Sequence, residues 1–198
     1  MKITDIKAQV KREGRYSIFV DGRYSFSLSE NELLNAGLKI GQEFDAPGLE
    51  QLKTKAVEDK AMMRAYDLLA RRPRSRWEMQ EYLRRKDYPT GLIEKILNTL
   101  SDKGYLDDEK FARAWIENRR LLKKTSKRRL MLELQQKRIS SDTISKVLAE
   151  DETDERQVVR DVIAKKRAQT RYQDDQKLIA YLLRQGFSYD DIRSALSQ

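Results

Sequence analysis

The sequence of 198 residues contains no cysteine and no histidine. It therefore has no disulfide bond, no Cys/His zinc site, no cysteine nucleophile and no Ser-His-Asp triad. No apolar run approaches the roughly 20 residues that a membrane-spanning helix needs. The residues that follow Met1 show none of the features of a signal peptide, so we expect a soluble cytoplasmic protein without membrane partners.

Proline and glycine are scarce, at three and eight residues, and this favours helices over turns. Basic residues outnumber acidic ones by 41 to 32, which gives a formal charge of +9. The surplus lies in the middle of the chain, with net charges of 0 for 1–58, +4 for 59–106, +6 for 107–149 and −1 for 150–198. A local basic field of this kind is typical of a nucleic-acid partner. A well-solvated helical surface would give the same composition.

The first part of the chain has the alternating pattern of β-strands. Apolar and polar residues alternate over 6–10, 16–20 and 24–28. Asp21-Gly22 is a strong signal for a two-residue hairpin turn. We predict a small three-stranded antiparallel sheet, followed by a short helix that begins with a capping box at Ser29 and ends at Gly37. Such a sheet either packs on a neighbouring helix or binds an extended peptide at its edge.

One apolar pattern recurs three times in the rest of the chain, at fifteen positions in register. Its central leucines, Leu83, Leu134 and Leu182, are 51 and then 48 residues apart. Each copy has two pairs of apolar residues at i and i+4, which indicate two amphipathic helices. A single apolar residue between the pairs, namely Tyr88, Ile139 or Phe187, is predicted to plug the turn.

A further helix precedes each pair, so each copy is predicted to be a three-helix unit. Ser75, Ser126 and Asp174 stand eight residues before the central leucines and suit the N-cap position. Units this small are expected to stack and share a core with their neighbours in an elongated array. The predicted segments are 1–46 (β-region), 47–106 (linking helix from Pro47 and repeat 1), 107–149 (repeat 2) and 150–198 (repeat 3).

The sharpest feature of repeat 2 is a basic run over 119–129, with seven cations in eleven positions and no acid. It straddles the predicted helix boundary at Ser126. Cations in the first turn of a helix oppose its dipole, so Lys127, Arg128 and Arg129 break a local rule. We interpret the run as a phosphate-contacting surface, and a solvated face is the alternative. Arg119, by contrast, falls in line with Phe111 and Trp115 and is expected to cover the core.

Two further basic clusters occupy the corresponding joints of repeats 1 and 3. Together the three clusters could form a stripe that follows a nucleic-acid backbone. Trp77 beside the first cluster would either stack on a base or pack half-buried. The residues predicted to contact nucleic acid or a protein filament are Arg71, Arg72, Arg74, Arg76, Arg120, Lys123, Lys124, Lys127, Arg128, Arg129, Lys165, Lys166 and Arg167.

Acidic residues recur at 107–109, 174–175 and 190–191, a pattern that a metal-dependent nuclease would also show. Each group lies where a helix should begin, however, and acids there are ordinary caps. The sequence also has no glycine-rich phosphate loop of the Walker type. We therefore predict a protein that is not an enzyme and that needs no cofactor.

The helical part resembles the RecX family of regulators of the RecA recombinase. The telling residues run from Gly104 to Ala112, with two acids followed by Phe111-Ala112, and continue with Arg119 and the pair Glu133-Leu134. The N-terminal hairpin resembles the extension of longer family members. One departure is Arg138 before Ile139, where the family often has glycine.

The resemblance implies a regulator that binds the RecA filament on single-stranded DNA, in its helical groove, and dampens its ATPase and strand-exchange activity. It also implies a role in homologous recombination, DNA repair and the SOS response. We expect this regulator to be a monomer. Binding to single- and double-stranded DNA is expected to show weak sequence preference. Two alternatives stay open: a helix-turn-helix transcription regulator, which would be dimeric and sequence-specific, and a scaffold that binds only protein.

Overall fold

The computed structural model describes residues 1–197 and is mainly helical, as predicted. Its three strands are β1 (Ile3–Ala8), β2 (Arg15–Val20) and β3 (Arg23–Ser29), in the order β1-β2-β3. The helices that follow are α1 (Glu30–Asn35), α2 (Ala46–Arg71), α3 (Arg76–Arg84), α4 (Thr90–Asp102), α5 (Asp108–Lys123), α6 (Lys127–Gln136), α7 (Ser141–Ala149), α8 (Glu155–Arg167), α9 (Asp175–Arg184) and α10 (Tyr189–Leu196). The chain divides into two compact units, one of residues 1–72 and 79–103, the other of residues 73–78 and 104 onward.

The sheet is an antiparallel meander whose second turn follows the sequence prediction. Asp21 and Gly22 both have positive φ, at 48° and 78°, and Val20 pairs with Arg23 across them. The prediction for the first strand is wrong at its end, because Val10 is fully exposed in a turn. The backbone N–H of Gln9 donates to the Arg15 carbonyl and closes the hairpin before Val10. The strand instead begins earlier, and Ile3 is its buried residue.

The apolar face of the sheet packs against α2, which confirms the packing interpretation of this region. Leu49 and Ala56 of α2 belong to the same buried cluster as Ile18 and Leu28 of the sheet. A buried ion pair lies beside this cluster. Asp59 of α2 accepts hydrogen bonds from Arg15, at 3.2 Å, and from the backbone N–H of Ser29, at 2.9 Å.

The turn between the paired helices is the same in all three repeats. The backbone N–H groups of Tyr88, Ile139 and Phe187 donate to the central leucine five residues earlier. The residue just before each of them has positive φ: 59° at Asp87, 59° at Arg138 and 87° at Gly186. This pattern is a helix C-cap that favours glycine. Arg138 thus keeps the turn of its neighbours despite the departure from the family pattern, but in a conformation that costs an L-residue free energy.

Replacing Arg138 by glycine is expected to raise the free energy of unfolding by about 0.5–1 kcal/mol. The exposed side chain contributes little packing, and glycine removes the penalty of the left-handed conformation. Urea unfolding followed by circular dichroism measures the change. The control is Gln135→Gly at an exposed position in the last turn of α6, which should lower stability by about 0.5–1 kcal/mol. A loss of stability in both variants would contradict this account of Arg138.

Repeats 2 and 3 do not share one hydrophobic core, contrary to the expectation from the sequence. Phe111, Leu130 and Leu134 belong to one buried cluster in α5–α7, whereas Val159 and Leu182 belong to another in α8–α10. Each of these two repeats has its own core because its three helices pack their apolar faces against one another. Polar contacts join the two repeats, and these contacts create the candidate site.

Candidate nucleic-acid interface

The basic run forms the joint between α5 and α6. Helix α5 ends at Lys123, and Lys124 turns the chain with a φ of 50°. Ser126 caps α6, as predicted, by accepting the backbone N–H of Arg129 at 3.3 Å. Since only three residues separate the helices, the cations at the end of α5 and at the start of α6 belong to one short stretch of surface.

Two N-cap serines of the second unit also donate to backbone carbonyls of segments that follow later in the chain. The Ser126 hydroxyl donates to the carbonyl of Gln185, at 2.6 Å, and the Ser75 hydroxyl donates to the carbonyl of Lys137, at 3.2 Å. Each carbonyl lies two residues before the plug of the next repeat. Gly186 permits the first contact, because a Cβ at this position would lie 2.9 Å from the Ser126 hydroxyl oxygen.

This joint explains why α6 tolerates cations in its first turn. The carbonyl end of α9 meets the N-terminus of α6. The negative partial charge of the α9 end offsets the positive partial charge of the α6 N-terminus. Arg129 adds a bond from Nη1 to the side-chain oxygen of Gln185, at 2.7 Å. The break of the dipole rule thus has a structural cause as well as a functional interpretation.

Arg120 lies inside the joint rather than on its surface. Its side chain is only 9% exposed, donates to Asp151 at 2.7 Å and to the Thr125 carbonyl at 2.6 Å, and forms an ion pair with Glu155 at 2.5 Å. The Glu155 carboxylate also accepts a hydrogen bond from the backbone N–H of Lys127, at 3.0 Å. We therefore assign Arg120 a structural role and leave it out of the proposed binding surface.

Arg119 covers the core of repeat 2, in agreement with its predicted position. Its guanidinium lies 4.4 Å from the centre of the Trp115 ring. Glu133 accepts hydrogen bonds from Arg119 Nε, at 2.7 Å, and from Trp115 Nε1, at 2.9 Å. The Glu133-Leu134 pair of the family pattern thus combines an ion-pair residue with a core residue.

The other five cations of the run remain at the surface. Lys124 pairs with Asp161 at 3.2 Å and Arg129 with Glu133 at 3.5 Å, but their side chains are 49% and 46% exposed. Lys123, Lys127 and Arg128 are exposed, and no carboxylate of the described residues lies within 4.0 Å of their side-chain nitrogens. Exposed ion pairs contribute little to stability, about 0–1 kcal/mol. A phosphate can therefore replace the carboxylate partners of Lys124 and Arg129.

Part of the repeat 3 cluster joins the basic run around a cleft of about 320 Å³. Lys165 and Lys166 of α8 line this cleft together with Lys123, Lys124 and Arg129. The ammonium of Lys166 lies 4.8 Å from the ring centre of Tyr181, which also lines the cleft. Two clusters that are about 40 residues apart in sequence therefore share one site.

The remaining predicted cations have other surroundings. Arg167 donates to the Gln173 carbonyl at 2.6 Å and pairs with Asp175. Arg71 and Arg72 are exposed at the end of α2, in the first unit, whereas Arg74 and Arg76 belong to the second unit and are half-buried. The lining of the cleft includes neither Arg74 nor Arg76. Trp77 is half-buried, which fits the packing interpretation.

Two of the three acidic groups cap helices, as predicted, whereas Asp190 and Asp191 lie in the first turn of α10, whose N-cap is Ser188. Asp107 accepts the backbone N–H groups of Glu109 and Lys110, and Asp174 accepts those of Gln176 and Lys177. The bond from the Lys110 N–H is the main cause of the lowered pKa of Asp107. No group of three or more acids able to hold a metal ion occurs within residues 1–197.

Sequence reasoning missed the residues that complete the cleft. Asp161, Leu122 and Tyr181 line it but lie outside the predicted site. The signal for Tyr181 was its place three residues after Leu178, at the edge of the core face of α9. Leu122 stood out only as an apolar residue within the basic run, and it is 66% exposed.

Fold and site together define a mainly helical protein of tandem three-helix repeats with a cationic joint between repeats 2 and 3. No helix among the described residues is long and apolar enough to cross a membrane. Models of the regulatory protein RecX match the N-terminal domain at 1–45 and the first, second and third three-helix domains at 61–100, 107–148 and 154–196. The chain belongs to the RecX family of regulatory proteins.

Relatives and solved structures agree with this assignment. The chain is 31% identical over 201 residues to the regulatory protein RecX of Bacillus subtilis (strain 168), covering 99% of this chain and 76% of the relative. It is 34% identical over 148 residues to the regulatory protein RecX of Lacticaseibacillus paracasei, covering 75% of this chain and 61% of that relative. A crystal structure of regulatory protein RecX superposes with a TM-score of 0.73 at 26% identity, covering 100% of this chain and 99% of the other.

Proposed function

We propose that the protein binds the RecA filament on single-stranded DNA, in its helical groove, and inhibits its ATPase and strand-exchange activity in recombination and DNA repair. The match of four successive RecX domains to this chain carries the proposal. The protein acts as a cytoplasmic monomer, without a cofactor and without chemistry of its own.

The basic joint is the surface that supports this function. Lys123, Lys127 and Arg128 offer unpaired charge, and Lys124 and Arg129 exchange an exposed carboxylate for a phosphate at small cost. Lysine and arginine side chains that contact phosphates give affinity without sequence information. Single- and double-stranded DNA are therefore both bound, with weak sequence preference.

The decisive experiment measures the ATPase of RecA on single-stranded DNA with increasing amounts of this protein. We expect inhibition together with co-sedimentation of the protein with the filament. A polylysine peptide at equal total charge is the control, because it competes for DNA without recognising the filament. An unchanged ATPase rate without co-sedimentation would defeat the proposal, as would inhibition no stronger than that by the peptide.

The two competing functions give different results in binding assays. A helix-turn-helix transcription regulator predicts a dimer and an affinity for one sequence that is roughly 10³-fold or more above that for random DNA. A scaffold that binds only protein predicts no binding to either form of DNA at low salt. Sedimentation and anisotropy titrations with random oligonucleotides separate both from the proposed function.

A further inference from the structure

The cleft beside the basic joint combines cations with apolar surface. Its rim carries Lys123, Lys124, Arg129, Lys165 and Lys166. Its two carboxylates are already engaged, since Asp161 binds Lys124 at 3.2 Å and Glu133 binds Arg119 at 2.7 Å. The cleft therefore has a positive surplus, and that surplus suits an anionic ligand.

Apolar side chains complete the lining and suit a flat ring. Tyr181 and Val162 line the cleft, together with Phe187, which is 4% exposed. The Tyr181 ring is held by Tyr172, at 5.1 Å between ring centres, and by the ammonium of Lys166. An aromatic residue fixed beside a row of cations is the arrangement with which proteins bind unpaired bases, by stacking the base and holding the backbone.

The size of the cleft restricts its ligand. A volume of about 320 Å³ lies at the small end of the range of about 300–1,000 Å³ that is typical of small-molecule sites. A duplex presents its bases inside and its phosphates outside, so it offers no part that enters a cleft of this size. One nucleotide of a single strand can enter the cleft, with its base inside and its backbone at the rim.

We propose that the cleft between the α5–α6 joint and helices α8 and α9 is a single-strand nucleic-acid site that takes one unpaired nucleotide. Lys123 and Lys165 hold the flanking phosphates, and Tyr181 stacks on the base. Lys127 and Arg128, outside the cleft, contact backbone of either kind. This site rests on the proposed function only in that its ligand is nucleic acid, and it requires no RecA.

The test measures the binding of a fluorescent oligo-dT and of a random duplex in the absence of RecA. Lys123→Ala with Lys165→Ala should weaken oligo-dT binding about 25-fold near 0.1 M salt. Each phosphate contact on a single strand contributes about 0.7 to the slope of log K against log salt, and the affinities of variant and wild type converge near about 1 M salt. Binding to the duplex should change by less than about threefold. The control, Arg138→Ala with Arg184→Ala, removes one exposed cation from each of the same two repeats outside the cleft and should change both affinities by less than about threefold.

A second readout locates the base independently of charge. An oligo-dT that carries 5-iodouracil should cross-link to Tyr181 on irradiation, with the position found by mass spectrometry. Tyr181→Phe should keep oligo-dT affinity, and Tyr181→Leu should lower it while the melting temperature shows that the variant is folded. Equal effects of the lysine pair and of the arginine control pair on oligo-dT affinity would overturn the site, as would cross-links only at other residues.

The outcomes for the site and for the proposed function can be distinguished. Inhibition of the RecA ATPase by a protein whose oligo-dT binding is insensitive to Lys123 and Lys165 would overturn the site and support the function. A cross-link at Tyr181 in a protein that leaves RecA unaffected would support the site and overturn the function.

Discussion

Replacing Arg120 by alanine should lower the free energy of unfolding by about 3–5 kcal/mol. The guanidinium and the Asp151 carboxylate are 9% and 8% exposed, and the two side chains lie 2.7 Å apart. Removing the cation leaves Asp151 and the Thr125 carbonyl without their buried partner. The contact also ties α5 to the start of α8, since Arg120 binds Glu155 as well. Urea unfolding followed by circular dichroism gives the change.

The control for this prediction is Arg84→Ala. Arg84 also binds a carboxylate, that of Glu81 at 2.7 Å, but its side chain is 69% exposed. An exposed pair contributes little to stability, so this variant should stay close to the wild type. A loss of less than about 1 kcal/mol in Arg120→Ala would show that the buried pair does not stabilise the joint.

The acid dependence of unfolding provides a second measurement of the same pair. Burial raises the pKa of Asp151, but hydrogen bonds from Thr153 and Arg120 outweigh burial and hold the pKa below its ordinary value. As the pH falls, Asp151 is therefore protonated in the unfolded chain before it is protonated in the folded protein. The pair thus contributes fully to the free energy of unfolding near neutral pH. It is lost as the pH falls from about 5 through the lowered pKa. Arg120→Ala should reduce that loss.

Removing the five surface cations of the basic run should lower single-stranded DNA affinity by about 100- to 3,000-fold near 0.1 M salt. The range corresponds to three to five phosphate contacts, each contributing about 0.7 to the slope of log K against log salt, with affinities that converge near 1 M. The slope itself should therefore decrease by about 2 to 3.5. Anisotropy titrations between 0.05 and about 0.3 M salt measure both quantities. The substituted residues are Lys123, Lys124, Lys127, Arg128 and Arg129.

A charge-matched variant tests whether position matters or only net charge. The first 58 residues carry no net charge, so five exposed cations there form a suitable comparison. Their replacement should leave the slope within about 0.5 of the wild type, because they contact no phosphate. An unchanged slope in the joint variant, or equal slopes in both variants, would contradict a phosphate-binding role for the run. The control residues are Lys11, Arg12, Arg23, Lys39 and Lys55.

Local features of the fold were predictable from sequence because the interactions that produce them span only a few residues. The Asp21-Gly22 turn needs two positive φ angles, and Ser126 caps a helix that begins at the next residue. The repeat was visible because a core face recurs at fixed spacing. The end of β1 was predicted wrongly because the alternation of apolar residues continues to Val10, past the point where Gln9 bonds to the Arg15 carbonyl and the hairpin turns.

The availability of each cation depended on the tertiary structure. In sequence, Arg120 and Lys123 are equivalent members of one basic run, but the first is paired with Asp151, 31 residues away, and the second lines an open cleft. Side-chain partners this distant are set by how repeats 2 and 3 dock through Ser126 and Gly186. The sequence by itself determined the repeats, the caps and the location of the charge. Only the packing of repeats 2 and 3 against each other decided which cations face solvent. A cation forms an ion pair only where this packing places a carboxylate beside it.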